Sequence, residues 1–209
     1  MIEIQGLVKR YGQTNVLDGV TVTFGQGQIH GLIGRNGSGK TMLIKCICAL
    51  VRPTQGSIVV GGKPLKEGQP PQDIGAIVET PGFLPYYSGQ RNLRLLAGIR
   101  GKIGKEEVRQ AIRRVGLDPD SRKWVGRYSL GMRQRLGLAQ AIMENPGILI
   151  LDEPMNGLDN QGVEDMRQLF LQFKAEGKTI LLASHNREDI ETLCDHVYTM
   201  DKGRLTFVR

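Results

Sequence analysis

Apolar and polar residues follow two kinds of pattern along this 209-residue chain, and each predicts its own kind of element. Short apolar or alternating runs predict β-strands, and apolar residues at helical spacing predict helices between them. The predicted strands are Ile2–Gln5, Val20–Phe24, Gln28–Ile33, Ser57–Val60, Ile74–Glu79, Ile148–Asp152, Thr179–Ser184, His196–Met200 and Arg204–Val208. The clearest helices flanking the middle of the chain are Thr41–Leu50 and Val163–Ala175. Strands alternating with helices favour an α/β fold with a mainly parallel sheet, and the glycine-punctuated early strands favour an antiparallel β edge.

The middle of the chain has only the helical pattern, from about residue 89 to residue 145. Helices are predicted at Gln90–Gly98, Lys105–Val115 and Leu130–Glu144, with glycine and proline turn signals between them. We therefore expect a single domain over residues 1–209. Its α/β core, about 1–88 and 146–209, carries an inserted helical sub-domain of about 89–145.

Composition and charge narrow the classes of partner. The chain has 28 basic and 21 acidic residues, a net charge of +7, which favours anionic partners such as nucleotides, nucleic acids or a lipid surface. The basic residues between Arg91 and Arg135 are scattered, as on a solvated face, rather than grouped as in a nucleic-acid groove. No apolar run approaches the roughly 18 residues of a membrane span. The first residues lack the regions of a signal peptide, so we expect a cytoplasmic protein. Its three cysteines fit no metal or disulfide framework and are expected to be buried thiols.

A glycine-rich loop follows the predicted strand that ends at Ile33 and precedes the next predicted helix. It fits the pattern G-x-x-x-x-G-K-[ST]. Its residues are Gly34, Arg35, Asn36, Gly37, Ser38, Gly39, Lys40 and Thr41, followed by Met42. Glycines let backbone N–H groups approach phosphate oxygens, while the lysine reaches the β and γ phosphates and the threonine hydroxyl binds Mg²⁺. A chance glycine-rich turn is the alternative, but the strand before and the helix after favour nucleotide binding.

Two further strands end in groups suited to phosphate chemistry. Asp152 and Glu153 follow an apolar strand and point to opposite faces, so they have different tasks. Beside a phosphate loop, Asp152 is expected to hold Mg²⁺, and Glu153 to orient or deprotonate the attacking water. His185 ends the next strand and is expected to sense the γ-phosphate and bridge it to the catalytic acid. The alternative for Asp152 and Glu153 is solvated charge at the end of a strand. The alternative for His185 is an ordinary loop histidine.

The stretch SLGMRQR, residues 129–135, places Ser129 before a helical run, with Gly131 in the first turn. Serine is a favourable helix N-cap, and a helix N-terminus presents free N–H groups to an anion. A capped surface helix and an anion site both fit this stretch on its own.

The order of these motifs resembles that of the nucleotide-binding subunits of ATP-binding cassette (ABC) transporters from end to end. That family has, in order, an aromatic residue near the N-terminus, a phosphate loop, a glutamine loop, an LSGGQ-type signature, an acid pair, an Asp loop and a His switch. The corresponding positions are Tyr11, Gly34–Thr41, Glu79, Ser129–Arg133, Asp152 with Glu153, Gly157–Asp159 and Ser184 with His185.

The resemblance implies an ATPase of the P-loop fold that uses ATP and Mg²⁺. Two subunits, identical or paralogous, would meet head to tail and enclose two ATP molecules. Ser129 and Gly131 would then bind the γ-phosphate of the ATP held by the partner subunit. Tyr11 would stack on adenine, and Asp159 would cross the dimer interface.

The chain departs from the family pattern at three places. Leu130 and Met132 stand in the signature where the usual pattern has glycine and glutamine, and Met42 replaces a second hydroxyl residue after the lysine. Glu79 stands where a glutamine usually contacts Mg²⁺ or the attacking water, and a carboxylate adds charge and loses the amide donor. Glu79 with this signature is similar to the bacterial exporters that protect against bacitracin and lantibiotics. The alternative is a solvated strand-end acid that says nothing about cargo.

The leading hypothesis is therefore the ATPase subunit of a transporter, peripheral on the inner face of the cell membrane through a separate membrane permease. The aromatic stretch Pro81–Leu96 would receive a cytoplasmic helix of the permease, although part of it also suits an ordinary core. A soluble ATPase acting on nucleic acid or the ribosome is the alternative. ATPases of that kind usually carry a second cassette or a long coiled-coil insertion, and this chain is too short for either. No nucleic acid is therefore expected as a partner. A degenerate regulatory nucleotide binder is disfavoured because Lys40, Thr41, Asp152, Glu153 and His185 are all present.

Overall fold

Two β-sheets form the framework of residues 1–66 and 68–209, which are the residues that the computed structural model describes. The strands are β1 (Ile2–Tyr11), β2 (Thr14–Phe24), β3 (Ile29–Ile33), β4 (Gln55–Val60), β5 (Lys63–Pro64), β6 (Ile74–Ile77), β7 (Ile148–Asp152), β8 (Thr179–Ala183), β9 (His196–Asp201) and β10 (Arg204–Phe207). The helices are α1 (Lys40–Ile47), α2 (Gly89–Arg100), α3 (Lys105–Arg114), α4 (Leu130–Ile142), α5 (Asn160–Ala175) and α6 (Arg187–Leu193), with a 3₁₀ turn at Val125–Arg127.

The larger sheet is mainly parallel, as the sequence predicts. Its order is β10-β9-β3-β8-β7-β6, and only β10 runs antiparallel to its neighbour among these described strands. Strands β3, β8, β7 and β6 are therefore side by side and point the same way. Their carboxyl ends meet at one edge of the sheet, where open α/β sheets bind ligands.

The smaller sheet has the order β2-β1-β4-β5 and is antiparallel throughout. The antiparallel character expected of the early strands is present, but these strands form a sheet of their own. One face of β1 buries Ile2, Ile4 and Leu7 completely or almost completely. Burial of this face against the rest of the chain explains why the sheet forms a separate layer.

Two apolar clusters lie on the two faces of the larger sheet in the described part of the chain. Along β7, Leu149 and Leu151 belong to one cluster, while Ile148 and Ile150 belong to the other. The first cluster includes residues of α5 and of α2–α4, and the second includes residues of α1 and the smaller sheet. A strand covered on both faces is apolar at every position, which explains why the run at residues 148–151 forms a buried strand, as predicted.

The middle of the chain is helical in the structure, with α2, α3 and α4 between β6 and β7. Over residues 89–145, all of which are described, there is no strand, and Trp124 only forms an isolated bridge with Ser88. The division into a core and a helical sub-domain stays a prediction, since helices α2–α4 share an apolar cluster with the sheet.

Sequence patterns missed three short elements, ended β1 six residues early, began β2 six residues late and extended β6 two residues too far. The missed elements are β5, the 3₁₀ turn and α6. Each is too short for a periodic signal, and β5 contains only two residues. The predicted strand Ile74–Glu79 ends at Ile77, and Glu79 lies beyond it with a left-handed φ of 58°.

The cysteines are shielded thiols, as expected. Cys46 and Cys48 are buried and Cys194 is half-buried, and all three are free. Burial raises the pKa of Cys46 to about 11 and that of Cys48 to about 12. These two thiols therefore stay protonated at neutral pH and are poor nucleophiles.

In the portion of the chain that the structure describes, no helix has both the length and the apolar character required to cross a bilayer.

A substitution at Gly75 on β6 tests how closely helix α4 packs against the sheet. A Cβ at Gly75 would collide with the backbone carbonyl oxygen of Ala141 on α4. We expect Gly75→Ala to lower the free energy of unfolding by about 1–3 kcal/mol, because a backbone contact cannot relax as a side chain can. Urea unfolding monitored by circular dichroism measures this change.

Gly98→Ala is the matched control. Gly98 lies on exposed α2, and a Cβ there has no atom within 4 Å. Alanine is the better helix former by about 1 kcal/mol, so this variant should be as stable as the parent or more so. Equal stability of the Gly75 and Gly98 variants would contradict the close packing of α4 against β6.

Candidate functional site

The loop between β3 and α1 adopts the backbone that a phosphate cradle requires. Gly34, Gly37 and Gly39 have φ values of 153°, 78° and 116°, in the region that favours glycine. A Cβ on Gly34 would collide with the carbonyl oxygen of Met200, and one on Gly39 would lie 2.9 Å from that of Val16. Larger residues would therefore displace the loop from its neighbours.

Polar groups in this loop suit the phosphates of a nucleotide. The Lys40 ammonium is nearly buried and donates to the carbonyl oxygens of Gly34 at 2.7 Å and Arg35 at 3.4 Å. The Ser38 hydroxyl is buried and has no hydrogen-bond partner among the described residues. A buried hydroxyl without a partner is costly, and a phosphate oxygen would supply one. The N-terminus of α1 adds its partial positive charge at the same place.

Thr41 and Asp152 bring two hard oxygen ligands together. Asp152 is the last residue of β7 and is nearly buried. Thr41 Oγ1 donates to Asp152 Oδ2 at 2.7 Å. A hydroxyl beside a carboxylate at the end of a phosphate loop is the donor set that Mg²⁺ uses with nucleotide phosphates. The residues present therefore fit a magnesium ion.

Glu153 is held in an unusual backbone conformation next to His185. Its φ is 51°, and non-glycine residues with left-handed backbones concentrate at functional sites. Its N–H donates to the carbonyl of Ala183 on β8 at 2.9 Å, and its own carbonyl accepts from Gln134 Nε2 on α4 at 2.9 Å. His185 Nδ1 lies 2.8 Å from Glu153 Oε2. The sheet, α4 and the histidine together aim this carboxylate.

Glu79 is the second acid of the site with a left-handed backbone, at φ 58°. Its Oε1 accepts a hydrogen bond from Lys45 Nζ on α1 at 2.7 Å. Sequence reasoning did not single out Lys45. The available signal was its position four residues after Thr41, which places both side chains on one helix face.

A cavity of about 480 Å³ is lined by most of these groups, but not by Gly34, Lys45 or His185. Its size falls within the usual range for small-molecule sites. The predicted residues on its wall are Arg35, Asn36, Gly37, Ser38, Gly39, Lys40, Thr41, Met42, Glu79, Asp152 and Glu153. Val16, Thr80, Leu130, Gln134 and Asn156 also line it but were not predicted as site residues. Leu130 and Gln134 belong to the stretch SLGMRQR at the start of α4, whereas the other three are ordinary residues that give no signal in the sequence.

Ser129, Gly131 and Asp159 are outside this cavity lining. Ser129 Oγ accepts from the N–H of Met132 at 3.1 Å, and Asp159 Oδ1 accepts from the N–H of Gly162 at 2.8 Å. Both side chains therefore cap the helices that follow them. A Cβ on Gly131 would approach the carbonyl oxygen of Gly157 to 3.1 Å, so glycine permits close packing of the first turn of α4 against the loop that contains Gly157.

Tyr11 is also outside the cavity lining. It ends β1 with 52% of its surface exposed, and the Lys9 ammonium lies 4.7 Å from its ring centre. Its ring is thus available to a stacking partner, and its role with adenine stays a prediction.

Comparison with known proteins gives the family. The chain matches the ABC transporter family over residues 17–156. It is 44% identical to the ABC transporter ATP-binding protein YybJ of Bacillus subtilis (strain 168), over 98% of this chain and 94% of that protein. It is 42% identical to the bacitracin transport ATP-binding protein BcrA of Enterococcus faecalis, over 98% of this chain and 68% of that protein. It is 35% identical to the lantibiotic transport ATP-binding protein SrtF of Streptococcus pyogenes, over 98% of this chain and 89% of that protein.

Solved structures share the fold. An ATP-binding subunit of an ABC transporter superposes with a TM-score of 0.88, covering 100% of this chain and 90% of that one at 29% identity. The dimeric cassette MJ0796, solved in a post-hydrolysis state with ADP and Pi, has a TM-score of 0.87 at 20% identity. The match covers 100% of this chain and 99% of that one. With this fold, the family match and relatives aligned over nearly its whole length, the chain belongs to the ABC transporter family and is an ATP-binding, ATP-hydrolysing cassette of that family.

Proposed function

We propose that this cassette pairs head to tail with a second copy, or with a related cassette, around two Mg²⁺–ATP and so drives a separate membrane permease. The observation that carries the proposal is the meeting of three groups at one sheet edge. These are the phosphate loop, the Thr41–Asp152 pair and the Glu153–His185 pair.

The loop binds the triphosphate. Its backbone N–H groups, the Ser38 hydroxyl and the Lys40 ammonium serve phosphate oxygens, and Lys40 exchanges its two carbonyl partners for them. Thr41 and Asp152, with Glu79 nearby, hold the metal. When bound, Mg²⁺ neutralises the charge of the β and γ phosphates.

Glu153 orients and deprotonates the attacking water. A general base must lie within hydrogen-bond reach of the water and be aimed at it, which the contacts from Ala183, Gln134 and His185 provide for Glu153. His185 is mostly exposed and contacts the Glu153 carboxylate, so it is free to bridge that carboxylate to a γ-phosphate.

Ser129, Gly131 and Asp159 serve the second subunit. The first two flank Leu130 at the N-terminus of α4 and are themselves outside the cavity of their own chain, although Leu130 lines it. The partial positive charge of this helix N-terminus favours an anion. Tyr11 stacks on the adenine of the nucleotide bound to its own loop. Asp159 contributes to the interface beside this N-terminus.

The permease docks on an aromatic surface formed by Leu84, Tyr86 and Trp124. These side chains are 52%, 74% and 48% exposed, and the rings of Tyr86 and Trp124 meet edge to face at 5.9 Å. The surface is basic, since the Arg127 guanidinium lies 5.5 Å from the Trp124 ring centre and residues 81–105 contain no acidic residue. A cytoplasmic permease helix with apolar and acidic side chains complements it.

Antimicrobial peptides are the proposed cargo, because the names of the relatives BcrA and SrtF refer to bacitracin and lantibiotic transport. The cassette then acts in the cytoplasm, on the inner face of the cell membrane. No feature of the site favours a nucleic acid or the ribosome.

Glu153→Gln tests the catalytic assignment. The amide keeps the shape of the side chain but cannot accept the proton, so kcat for ATP hydrolysis should fall about 100-fold or more. ATP binding should persist, and the ATP-bound dimer should accumulate in size-exclusion chromatography. Glu191→Gln, which removes an exposed acid on α6, is the control and should keep the parental rate. A parental rate in the Glu153 variant would exclude Glu153 as the base.

Ser129→Asp tests whether Ser129 acts in the partner's site. Aspartate preserves the helix cap, but its charge repels a phosphate, so thermal stability should hold while nucleotide trapping by the dimer is lost. Ser129→Asn, a neutral cap, is the control for the charge. Nucleotide retention is measured with radiolabelled ATP in the Glu153→Gln background.

Mixing the Ser129→Asp and Lys40→Ala proteins distinguishes a Ser129 that serves the partner's ATP from one that serves the ATP of its own subunit. In a head-to-tail dimer, the mixed pair has one site with an intact phosphate loop and an intact partner signature. The mixture should therefore retain ATP although neither variant does alone. No recovery on mixing would mean that Ser129 serves its own subunit.

Tyr86→Ser with Trp124→Ser tests the docking surface. Removing both rings should reduce recovery of a polytopic membrane protein in an affinity pull-down from native membranes at least tenfold, while ATP binding is unchanged. Val208→Ser removes a comparably exposed apolar residue elsewhere and should not change recovery. Equal recovery by all three proteins would place the permease on another surface.

A further inference from the structure

The ion pair between Lys45 and Glu79 connects the phosphate-loop helix to the acid that departs from the family pattern. Lys45 Nζ lies 2.7 Å from Glu79 Oε1, and the two side chains are 26% and 61% exposed. Thr41 lies one turn earlier on the same face of α1, and its hydroxyl binds Asp152. Lys45 thus holds Glu79 one turn along α1 from the Thr41–Asp152 pair.

The backbone and the ion pair together set the direction of the Glu79 side chain. The left-handed φ of 58° at Glu79 is unfavourable for a residue with a Cβ and persists only where its surroundings enforce it. Lys45 supplies one such contact from α1. A rigid α1 therefore fixes one end of the loop that follows β6.

Charge gives this pair a consequence for the nucleotide. Glu79 lines the cavity that contains the phosphate loop. A carboxylate without a counter-charge there repels the phosphates of metal-free ATP and attracts Mg²⁺. Paired with Lys45, it adds no net charge, and in this respect the pair is equivalent to a neutral amide at position 79.

We propose that Lys45 is a positioning residue for Glu79, which neutralises its carboxylate and holds it at α1, so that the cavity accepts the ATP phosphates. This inference rests on the proposed nucleotide site. It also implies that Lys45 and the bound metal compete for the same carboxylate. The pair would thereby adjust how strongly ATP binding depends on Mg²⁺.

Lys45→Met tests the proposal, because methionine retains an apolar stem and removes the charge. The released carboxylate should weaken binding of ATP in EDTA about fivefold, because its charge is no longer balanced by Lys45 and repels the phosphates. Binding of Mg²⁺–ATP should change less than twofold, because the cation now meets a free carboxylate. Isothermal titration calorimetry with ATP, in EDTA and in Mg²⁺, measures both dissociation constants.

The double variant Lys45→Met with Glu79→Gln distinguishes this role from a simple loss of positive charge. With no carboxylate to neutralise, removing Lys45 should change metal-free ATP binding less than twofold relative to Glu79→Gln alone. Lys102→Met removes an equal charge elsewhere and should also have an effect below twofold. Lys45→Arg should restore parental binding and checks that the α1 position tolerates substitution.

An equal loss of affinity with and without Glu79 would overturn the proposal, since Lys45 would then act on the nucleotide directly. No loss in either background would overturn it as well. Failure of the parent protein to bind ATP under any condition would instead contradict the proposed nucleotide site, so the two ideas fail by different measurements.

Discussion

The parallel alignment of β3, β8, β7 and β6 is the constraint on which the candidate site depends. Parallel strands end at the same edge, so segments more than 100 residues apart in sequence meet there. The bond from Thr41 to Asp152 joins the first turn of α1 to the end of β7, and the chain that leaves β8, which lies between β3 and β7, brings His185 to Glu153. Any shift in register along this edge would separate the phosphate loop from its acids.

Backbone strain and hydrogen bonds then refine what the sheet brings together. Glu79 and Glu153 both have left-handed backbones, and each is restrained by another element. Lys45 on α1 binds Glu79, while α4 and β8 bind the backbone of Glu153. Since Gln134 lies on α4 and Ser129 caps that helix, a movement of α4 would act on the backbone of Glu153 and on the proposed partner site together. This helix would connect closure of the proposed dimer to the proposed catalytic acid.

Much of the site could be predicted from the sequence, because its chemistry is compact along the chain. The phosphate loop, Asp152, Glu153 and Glu79 all line one cavity, as their spacing and the family resemblance led us to expect. Val16, Gln134, Asn156 and Lys45 were not predictable, because each is an ordinary residue that gains its place only through packing. Ser129, Gly131, Tyr11 and Asp159 belong to the part of the prediction that a single chain does not test.

The sequence by itself determined the α/β class, the buried strand at residues 148–151 and the glycine-rich loop after β3. These follow from local rules, namely the period of apolar residues and the need for glycine where the backbone turns left-handed. Only the tertiary structure decided that the early strands form a separate sheet, that β6 stops before Glu79 and that Lys45 holds that acid. Strand partners and ion pairs between distant residues depend on the burial of whole faces, and no short window of sequence contains that information.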